Sequence, residues 1–341
     1  MMRKLLSIFT MTVLTITTST NIVACNNSNV PIPTINTVKF KLMNGIKEAT
    51  SLAIDSKDHL YTSDKKGNIY KCLAGENEFK KFATIKNIEI DAFSETYIRI
   101  DNDDNIFFIF NKEIYKCLAR ENTFNQIVKM KNDIVVFTLD KNNNIYIGSN
   151  DNNIYDSNIG TLYKCLAGKN TFIEVTNIQR PISSIVIDKN NNIFLSSMIF
   201  AQNTEIYKCL AGKNIFQKIN SINNTASSNL ALDSNNNIYI GITISDSERN
   251  TSGIVYKCLA GETNFVEITR IKKGNFYNLT LDKNNNIYAI DNAKSVYQML
   301  ANDKNIHMIN NQLSMGNDTI ITAQKNKVYI SNSYYGVYES D

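Results

Sequence analysis

Residues 206–216 read IYKCLAGKNIF, and versions of this stretch recur at regular intervals along the chain. Close copies begin at four other positions, and a diverged copy, VYQMLANDKNI, begins at a fifth: Ile69, Ile114, Leu162, Val255 and Val296. The repeat cysteines, with Met299 in the sixth copy, are spaced by 45, 48, 44, 49 and 41 residues. A period in the forties that holds several short strands is typical of the blades of a β-propeller.

A second motif alternates with the first along the chain. It consists of a strand that ends in Asp, a polar turn and another strand, as in LDKNNNIY at residues 139–146. In the fourth repeat the two motifs predict strands at 184–188, 192–196, 206–211 and 216–222. The connecting residues are Asn, Asp and Gly, which tolerate the positive φ values that tight hairpin turns require. Asn is abundant in the whole chain, and together with frequent Ile and Lys this indicates AT-rich coding as much as selection for chemistry, so we discount Asn as a functional signal.

The two ends of the chain decide the number of blades. Six repeats run from residue 50 to about residue 310, and the remainder predicts only three strands, at 319–323, 327–331 and 334–339. Residues 37–42, TVKFKL, resemble a fourth strand without a blade of its own. We therefore predict an all-β fold, a seven-bladed β-propeller of four-stranded antiparallel blades whose last blade is closed by the N-terminal strand. A six-bladed ring is the alternative.

The first 25 residues have the pattern of an export signal. A basic start, MMRK, precedes a short apolar segment and the tetrapeptide IVAC, which ends at Cys25. This tetrapeptide resembles the lipobox of bacterial lipoproteins, which implies a signal peptide at 1–24 and a diacylated Cys25, with palmitate-type chains, as the new N-terminus. Residues 25–35 are then the lipidated cysteine and its tether, and 36–341 the propeller, held at the extracellular face of the cell membrane. An ordinary cleaved signal with an unpaired cysteine is the alternative, as is a periplasmic scaffold.

The composition disfavours several classes of function. The formal net charge is only +4 and like charges never form a run of five, so we expect no nucleic-acid partner. The five repeat cysteines occupy equivalent places in blades about 10 Å apart, so we expect core packing rather than disulfides or metal ligation. The Asp101–Asn105 turn lacks the glycine and the later acid of a calcium loop, so we expect hairpin turns, no metal and no cofactor. With only His59 and His307 available as histidine bases, enzymatic activity is the less favoured reading.

The turn motif also carries a family resemblance. Its D-x-x-N-N-I-Y pattern resembles the D-x-x-G-N-x-Y-V signature of NHL-type propellers, with Asn143 and its counterparts where that pattern prefers Gly. Together with the leader, the cysteine-bearing repeat resembles surface lipoproteins of wall-less bacteria such as spiroplasmas. The resemblance implies a ligand-binding scaffold, because NHL-like propellers bind proteins or RNA. Related propellers include lyases and lactonases, so an enzyme with carboxylates around a central channel is the alternative function.

The predicted binding site lies in the connections between the second and third strands of blades 3 to 5. These connections are long at 149–161, 197–205 and 243–253 and short in blades 1, 2 and 6. Loops on a rigid scaffold often carry binding function, and three adjacent ones would form one patch. We predict that a monomer binds an unknown protein or glycan through Tyr155, Asp156, Phe200, Gln202, Asp246, Glu248 and Arg249. Neutral drift of the loops is the alternative explanation.

Overall fold

The computed structural model describes residues 38–86, 88, 96–150, 159–199, 203–223, 225–245, 251–271, 274–301, 303–311, 313, 319–324 and 327–341. Within these ranges the chain forms 28 β-strands in seven four-stranded antiparallel sheets. None of the described residues forms a helix long and apolar enough to cross a membrane. The predicted all-β, seven-bladed propeller is confirmed, and the six-bladed alternative is wrong.

Each blade contains four consecutive strands, called a to d. Blade 1 comprises β2 Leu52–Ile54, β3 Leu60–Ser63, β4 Asn68–Cys72 and β5 Lys80–Thr84. Blade 2 comprises β6 Thr96–Ile100, β7 Ile106–Phe110, β8 Glu113–Cys117 and β9 Asn125–Lys129. Blade 3 comprises β10 Ile134–Leu139, β11 Ile145–Asn150, β12 Gly160–Cys165 and β13 Phe172–Ile178. Blade 4 comprises β14 Ile182–Ile187, β15 Ile193–Ile199, β16 Asn203–Cys209 and β17 Gln217–Asn223.

The remaining three blades follow the same order. Blade 5 comprises β18 Thr225–Leu232, β19 Ile238–Ser245, β20 Thr251–Cys258 and β21 Val266–Ile271. Blade 6 comprises β22 Phe276–Leu281, β23 Ile287–Asp291, β24 Val296–Met299 and β25 His307–Asn310. Blade 7 comprises β26 Thr319–Gln324, β27 Lys327–Asn332 and β28 Gly336–Ser340, and its strand d is β1 Phe40–Leu42. The a strands of neighbouring blades pack against one another, so strand a is innermost and faces the axis.

The N-terminal strand closes the ring as predicted. Strand β1 pairs antiparallel with β28, with Phe40 opposite Ser340 and Leu42 opposite Tyr338. This pairing covers the edge that blade 7 would otherwise leave open. The third strand of this blade starts later than predicted. Tyr334 and Tyr335 lie in the preceding turn, and Gly336 takes a φ of 94° where the chain returns to the sheet.

Two kinds of strand boundary were predicted wrongly in blade 4. Strand c ends at Cys209 rather than at residue 211, because a tight turn starts at Leu210. The Leu210 carbonyl accepts the N–H of Lys213 at 3.0 Å. Strand c also begins at Asn203, and strand b continues to Ile199. Most of the predicted 197–205 loop is therefore part of a hairpin ladder. Blade 5 differs from the prediction in the same way, since Ser245 still pairs with Thr251.

The core consists of seven apolar clusters, one between each pair of neighbouring blades. The repeat cysteines are free thiols that belong to these clusters. Cys117, for example, packs with Ile98 and Phe108 of its own blade and with Tyr61 and Ile69 of blade 1. Each cysteine thus fills the interface between its blade and the preceding one, as expected from its apolar neighbours in the sequence. Met299 occupies the equivalent place in the cluster between blades 5 and 6.

Removal of the closing strand tests the architecture directly. A chain of residues 43–341 lacks β1, so it exposes the backbone edge of β28 and part of the cluster that Phe40 covers. We expect its melting temperature to fall by roughly 5 °C or more relative to residues 36–341, with light scattering that rises as the edges associate. Lys41→Ala in the longer chain is the control, because the side chain of Lys41 is exposed. Equal melting temperatures would contradict closure by β1.

Candidate functional site on the b–c rim

The alternating strand directions give the propeller two rims. The turns between strands a and b and between strands c and d lie at one end of every blade, here called the c–d rim. The b–c connections and the links from strand d to the next strand a lie at the other end, called the b–c rim. The turns of the c–d rim keep nearly the same sequence in six blades. Their hydrogen bonds show whether this sequence serves the fold or a ligand-binding site.

An aspartate organises the a–b turn of blades 1 to 6 on the c–d rim. In blade 3, Asp140 Oδ1 accepts hydrogen bonds from the N–H groups of Asn142 and Asn144, both at 2.9 Å. Its Oδ2 accepts from Asn144 Nδ2 at 2.8 Å. Four other blades repeat these three bonds, at Asp101, Asp188, Asp233 and Asp282. These carboxylate oxygens are occupied by turn donors, which explains the motif without a metal ion.

The two asparagines that end the turn motif connect it to its surroundings. Asn144 Oδ1 accepts the N–H of Ala167 in the c–d turn of the same blade at 2.9 Å. Asn143 has a φ of 62°, and its Oδ1 accepts the N–H of Asn102 in the preceding blade at 3.0 Å. Asn285 makes the equivalent bond to Ser234, at 2.9 Å. Asparagine therefore supplies both the left-handed conformation and a bond between blades, which glycine at this position would not supply.

The cysteines and histidines near this rim are poorly suited to catalysis or metal binding. Burial raises the pKa of the Cys72 and Cys117 thiols to about 11, so both remain protonated and weakly nucleophilic at neutral pH. His59 Nδ1 lies 3.3 Å from Asp55 Oδ1, and His307 Nε2 lies 3.2 Å from Asp303 Oδ2. No group of three or more His, Cys, Asp or Glu side chains within the described ranges could hold a metal ion. The c–d rim is best explained as scaffold.

A ring of equivalent residues, one from each innermost strand a, surrounds the axis. One residue of each strand a pairs with the aromatic residue of strand b, and all seven are half-buried: Ala53, Arg99, Thr138, Val186, Ala231, Thr280 and Thr322. This ring contains neither a carboxylate nor a histidine. Arg99 is its one charged member, and its Nη1 donates to the carbonyl of Ile98 at 2.9 Å. Burial lowers the pKa of Arg99. The ring therefore provides no carboxylate or imidazole to act as a general base.

Blades 3 to 5 are extended on the b–c rim. Strands b and c have seven residues each in blade 4 and eight each in blade 5. They have four and five residues in blade 1 and five each in blade 2. In blade 3 the paired ladder runs to Asn150 opposite Gly160. Three neighbouring hairpins thus prolong the sheet on the rim where the binding site was predicted.

All the predicted contact residues lie, in the sequence, between strands b and c of blades 3 to 5. Tyr155, Asp156, Phe200, Gln202, Asp246, Glu248 and Arg249 lie outside the described residues, as does Cys25. The structure therefore describes the hairpins that carry the predicted contacts but not the contacts themselves.

A buried ion-pair network lies at the base of the blade 4 hairpin. Arg180, in the link between blades 3 and 4, places Nη1 3.3 Å from Glu205 Oε1, and both side chains are largely buried. Its Nη2 donates to the side-chain oxygen of Asn203 at 2.7 Å and to the Asn203 carbonyl at 3.1 Å. Lys218 Nζ also lies 3.1 Å from Glu205 Oε1, and the Tyr207 hydroxyl donates to Glu205 Oε2. This network fixes the start of strand c in blade 4.

The ion pairs shift the pKa values of this network. Burial tends to raise the pKa of Glu205, but the hydrogen bonds from Tyr207 and Lys218 and the charge of Arg180 lower it overall. Burial, together with the bond to the Glu205 carboxylate, raises the pKa of Tyr207 to about 12. Glu205 is therefore ionised at neutral pH and holds Arg180 in place. Neither residue could be predicted as part of a site, because Arg180 and Glu205 are 25 positions apart and neither belongs to a repeated motif.

A second feature of the b–c rim was also missed. Tyr334 and Tyr335 lie in the b–c turn of blade 7 and are 54% and 46% exposed. Lys65, in the b–c turn of blade 1, places Nζ 4.3 Å from the ring centroid of Tyr334. Exposed tyrosines beside a cation are common in protein interfaces. Their assignment to a strand in the sequence analysis hid this exposure.

Comparisons with known proteins show the fold and no family. No family model matches the chain, and no curated protein matches it. Among solved structures, YCF48 bound to D1 peptide has a TM-score of 0.65 at 7% identity, over 89% of this chain and 96% of that one. A catalytically inactive virginiamycin B lyase from Staphylococcus aureus with quinupristin has a TM-score of 0.62 at 9% identity, over 89% and 99%. The extracellular domain of BT4673 from B. thetaiotaomicron has a TM-score of 0.64 at 16% identity, over 89% and 40%. At these identities the likeness concerns the propeller fold alone.

The Glu205 network predicts a pH-dependent contribution to stability. Glu205→Gln removes the negative charge that Arg180 faces, so we expect the free energy of unfolding at pH 7 to fall by about 3 kcal/mol. Because the folded-state pKa of Glu205 is lowered, its contribution is complete above the unfolded value of about 4.3. The contribution is lost as the pH falls through the folded-state pKa. Urea unfolding at pH 7 and at pH 3 measures the difference between the two proteins.

The control for this experiment is Glu262→Gln, an exposed glutamate in the c–d turn of blade 5. It should leave the free energy of unfolding unchanged at both pH values. A Glu205→Gln protein as stable as the wild type at pH 7, or equally destabilised at both pH values, would contradict the role assigned to the ion pair.

Proposed function

We propose that this protein is a lipoprotein, anchored to the outer face of the cell membrane through a diacylated Cys25, whose propeller binds a protein or glycan partner through the b–c rim. The main observation that supports a binding role is the length of the three adjacent b–c hairpins of blades 3 to 5, which are longer than those of blades 1 and 2. The contacts would be made by Tyr155, Asp156, Phe200, Gln202, Asp246, Glu248 and Arg249. Kinship with NHL-type propellers of wall-less bacteria is part of this proposal.

The rigidity of the hairpin bases supports a binding role. A loop that projects from a hydrogen-bonded ladder loses less conformational freedom on binding than a free loop of the same length. In blade 4, the ladder continues to Ile199 opposite Asn203, so only residues 200–202 remain between the strands. The Arg180 and Glu205 pair holds this ladder against the preceding link. Neutral drift of loops would not require such a buried charge network beneath them.

A protein partner is favoured over other ligands by two observations. YCF48, which has a similar fold, has been solved with a bound D1 peptide, so a propeller of this shape can present a surface to a peptide. On the present chain, Tyr334 and Tyr335 add exposed aromatic area to the b–c rim. Tyrosine is enriched at binding hot spots because its ring gives a large contact area at a low entropic cost. No nucleic-acid partner is proposed, because the net charge is close to neutral.

A lyase or lactonase is the second candidate, since the fold resembles that of virginiamycin B lyase. That function would need a general base in the channel or on a rim. The ring of strand-a residues described above offers only Arg99, threonine hydroxyls and apolar side chains. His59 and His307 lie near the c–d rim in blades 1 and 6, each next to its own aspartate. Neither this ring nor these two histidines is an evident source of that base, which supports binding over catalysis.

The anchor follows from the leader sequence. A dual acyl chain gives stable membrane attachment, whereas a single chain binds reversibly. If Cys25 is the acceptor, a palmitate analogue fed to expressing cells should label the wild type. The Cys25→Ser variant should show no label and should move from the membrane fraction to the soluble fraction. Cys72→Ser is the control and should keep its label. Equal labelling of the Cys25→Ser protein would refute the anchor.

The binding rim can be tested by affinity capture. Phe200→Ala combined with Arg249→Ala removes an aromatic and an arginine anchor, and hot-spot residues contribute about 2 kcal/mol or more each. We therefore expect capture of the proteins that the wild type retains from host or cell extracts to fall at least about tenfold. Lys213→Ala with Lys283→Ala, two exposed lysines of the c–d rim, should capture as the wild type does. Unchanged capture by the Phe200 and Arg249 variant would exclude this rim as the binding site.

A further inference from the structure

The c–d rim carries a ring of exposed leucines. The leucine that follows the cysteine position is between 43% and 55% exposed in blades 1 to 6: Leu73, Leu118, Leu166, Leu210, Leu259 and Leu300. Leu210 is the most exposed, and Ile215 in the same turn is 73% exposed. An isolated exposed leucine needs no explanation, but the same exposed side chain at six equivalent places on one rim does.

The structure accounts for the neighbours of each leucine. In blade 4, the Cys209 side chain is buried, and the N–H of Ala211 donates to Asn192 Oδ1 at 3.1 Å. Gly212 takes a φ of 72°, and the Leu210 carbonyl accepts the N–H of Lys213. The backbone of Leu210 therefore forms the turn, but any residue could provide that carbonyl. About half of the Leu210 side chain remains exposed to solvent.

The turns have diverged at some exposed positions and not at others. The alanine that follows each leucine is kept in all six copies, whereas the position three residues after the leucine varies, as in Glu76, Lys169 and Asp303. Even the most diverged copy, at 296–306, keeps Leu-Ala where its cysteine has become Met299 and its glycine Asn302. A polar residue at this exposed position would cost little folding energy. The chain has nevertheless kept leucine in all six copies.

The seventh place on this rim is where the N-terminal segment joins the propeller. In blade 7, Ser340 stands where the other blades have cysteine, and Phe40 pairs with it as Phe172 pairs with Cys165. Blade 7 therefore has no c–d turn. In its place lie the two chain segments next to strands c and d, which are Asp341 after strand c and Val38 before strand d. The segment from Cys25 to the propeller consequently joins the domain at the rim that carries the six leucines.

From these positions we infer that the c–d rim is the membrane-facing surface of the propeller and that its leucines insert into the lipid interface. This inference rests on the proposed lipid anchor at Cys25. Residues 26–37 could span at most about 40 Å, so the tether alone holds the rim near the bilayer without fixing its orientation. Leucines in six of the seven blades would fix the orientation of this rim. Lys169 and Lys213 lie in the same turns as Leu166 and Leu210 and are exposed, so they can reach lipid headgroups. The b–c rim would then face away from the membrane, toward a partner.

The absence of tryptophan from the whole chain permits a direct test. Leu210→Trp introduces a single tryptophan on blade 4, three blades away from the place where the tether joins blade 7. The full-length protein carrying this change is purified with its lipid anchor and reconstituted into phosphatidylcholine and phosphatidylglycerol vesicles. The reference is the emission of the same tryptophan in the unlipidated Cys25→Ser form in buffer without detergent. Relative to that reference, we expect the emission of the vesicle-bound protein to shift to the blue. We also expect brominated lipid to quench it at least twofold. Tyr334→Trp, on the b–c rim, is the matched control and should show neither effect.

The possible outcomes distinguish a failure of this inference from a failure of the proposed anchor. Protein that sediments with vesicles but leaves Leu210→Trp unquenched would overturn the membrane-facing rim and leave the anchor intact. Protein that does not sediment with vesicles would overturn the anchor and this inference together. A blue shift that grows with protein concentration without lipid would identify a second copy of the chain as the occupant and would also overturn the inference. Equal quenching of the Tyr334→Trp control would show that no single rim faces the membrane.

Discussion

The fold depends on a carboxylate that closes the turn between the first two strands of a blade. Asp188 is typical, because it satisfies two backbone N–H groups and one side-chain amide within a single turn. The amide that it holds belongs to Asn192, whose oxygen in turn fixes the c–d turn at Ala211. One short polar motif thus connects strands a and b to strands c and d. Repetition of this motif gives blades of constant shape, which is the condition for closing a ring.

Closure then depends on interactions between blades. Asparagine at the left-handed position of the a–b turn reaches the preceding blade, as Asn143 does, and each cysteine fills the apolar cluster behind its own sheet. Strand β1 pairs with β28 and removes the last exposed edge. These interactions leave the c–d rim with little freedom to change. The b–c rim is less uniform, because its turns do not share one motif and its hairpins differ in length from blade to blade.

Much of this architecture could be predicted from the sequence, because the repeat spacing, the strand pattern and the unpaired N-terminal strand are local signals. The extended hairpins of blades 4 and 5 could not, since residues such as Ser197 and Thr204 read as loop although they pair across the ladder. The Arg180 and Glu205 pair was hidden because one member lies in the link before blade 4 and the other in strand c of that blade, and the two meet only in the folded chain. The asparagines were discounted as compositional, but Asn143 and Asn144 make specific bonds that the structure alone reveals.

The account separates a constant rim, which holds the fold and is proposed to face the membrane, from a variable rim proposed to meet a partner. Its most direct test is the free energy of unfolding of Asn192→Ala, measured by urea denaturation against Asn190→Ala. Asn192 bonds both Asp188 and Ala211, whereas Asn190 is exposed in the same turn. The account predicts a loss of about 2 kcal/mol for Asn192→Ala and less than about 0.5 kcal/mol for Asn190→Ala. Equal stability of the two variants would contradict it.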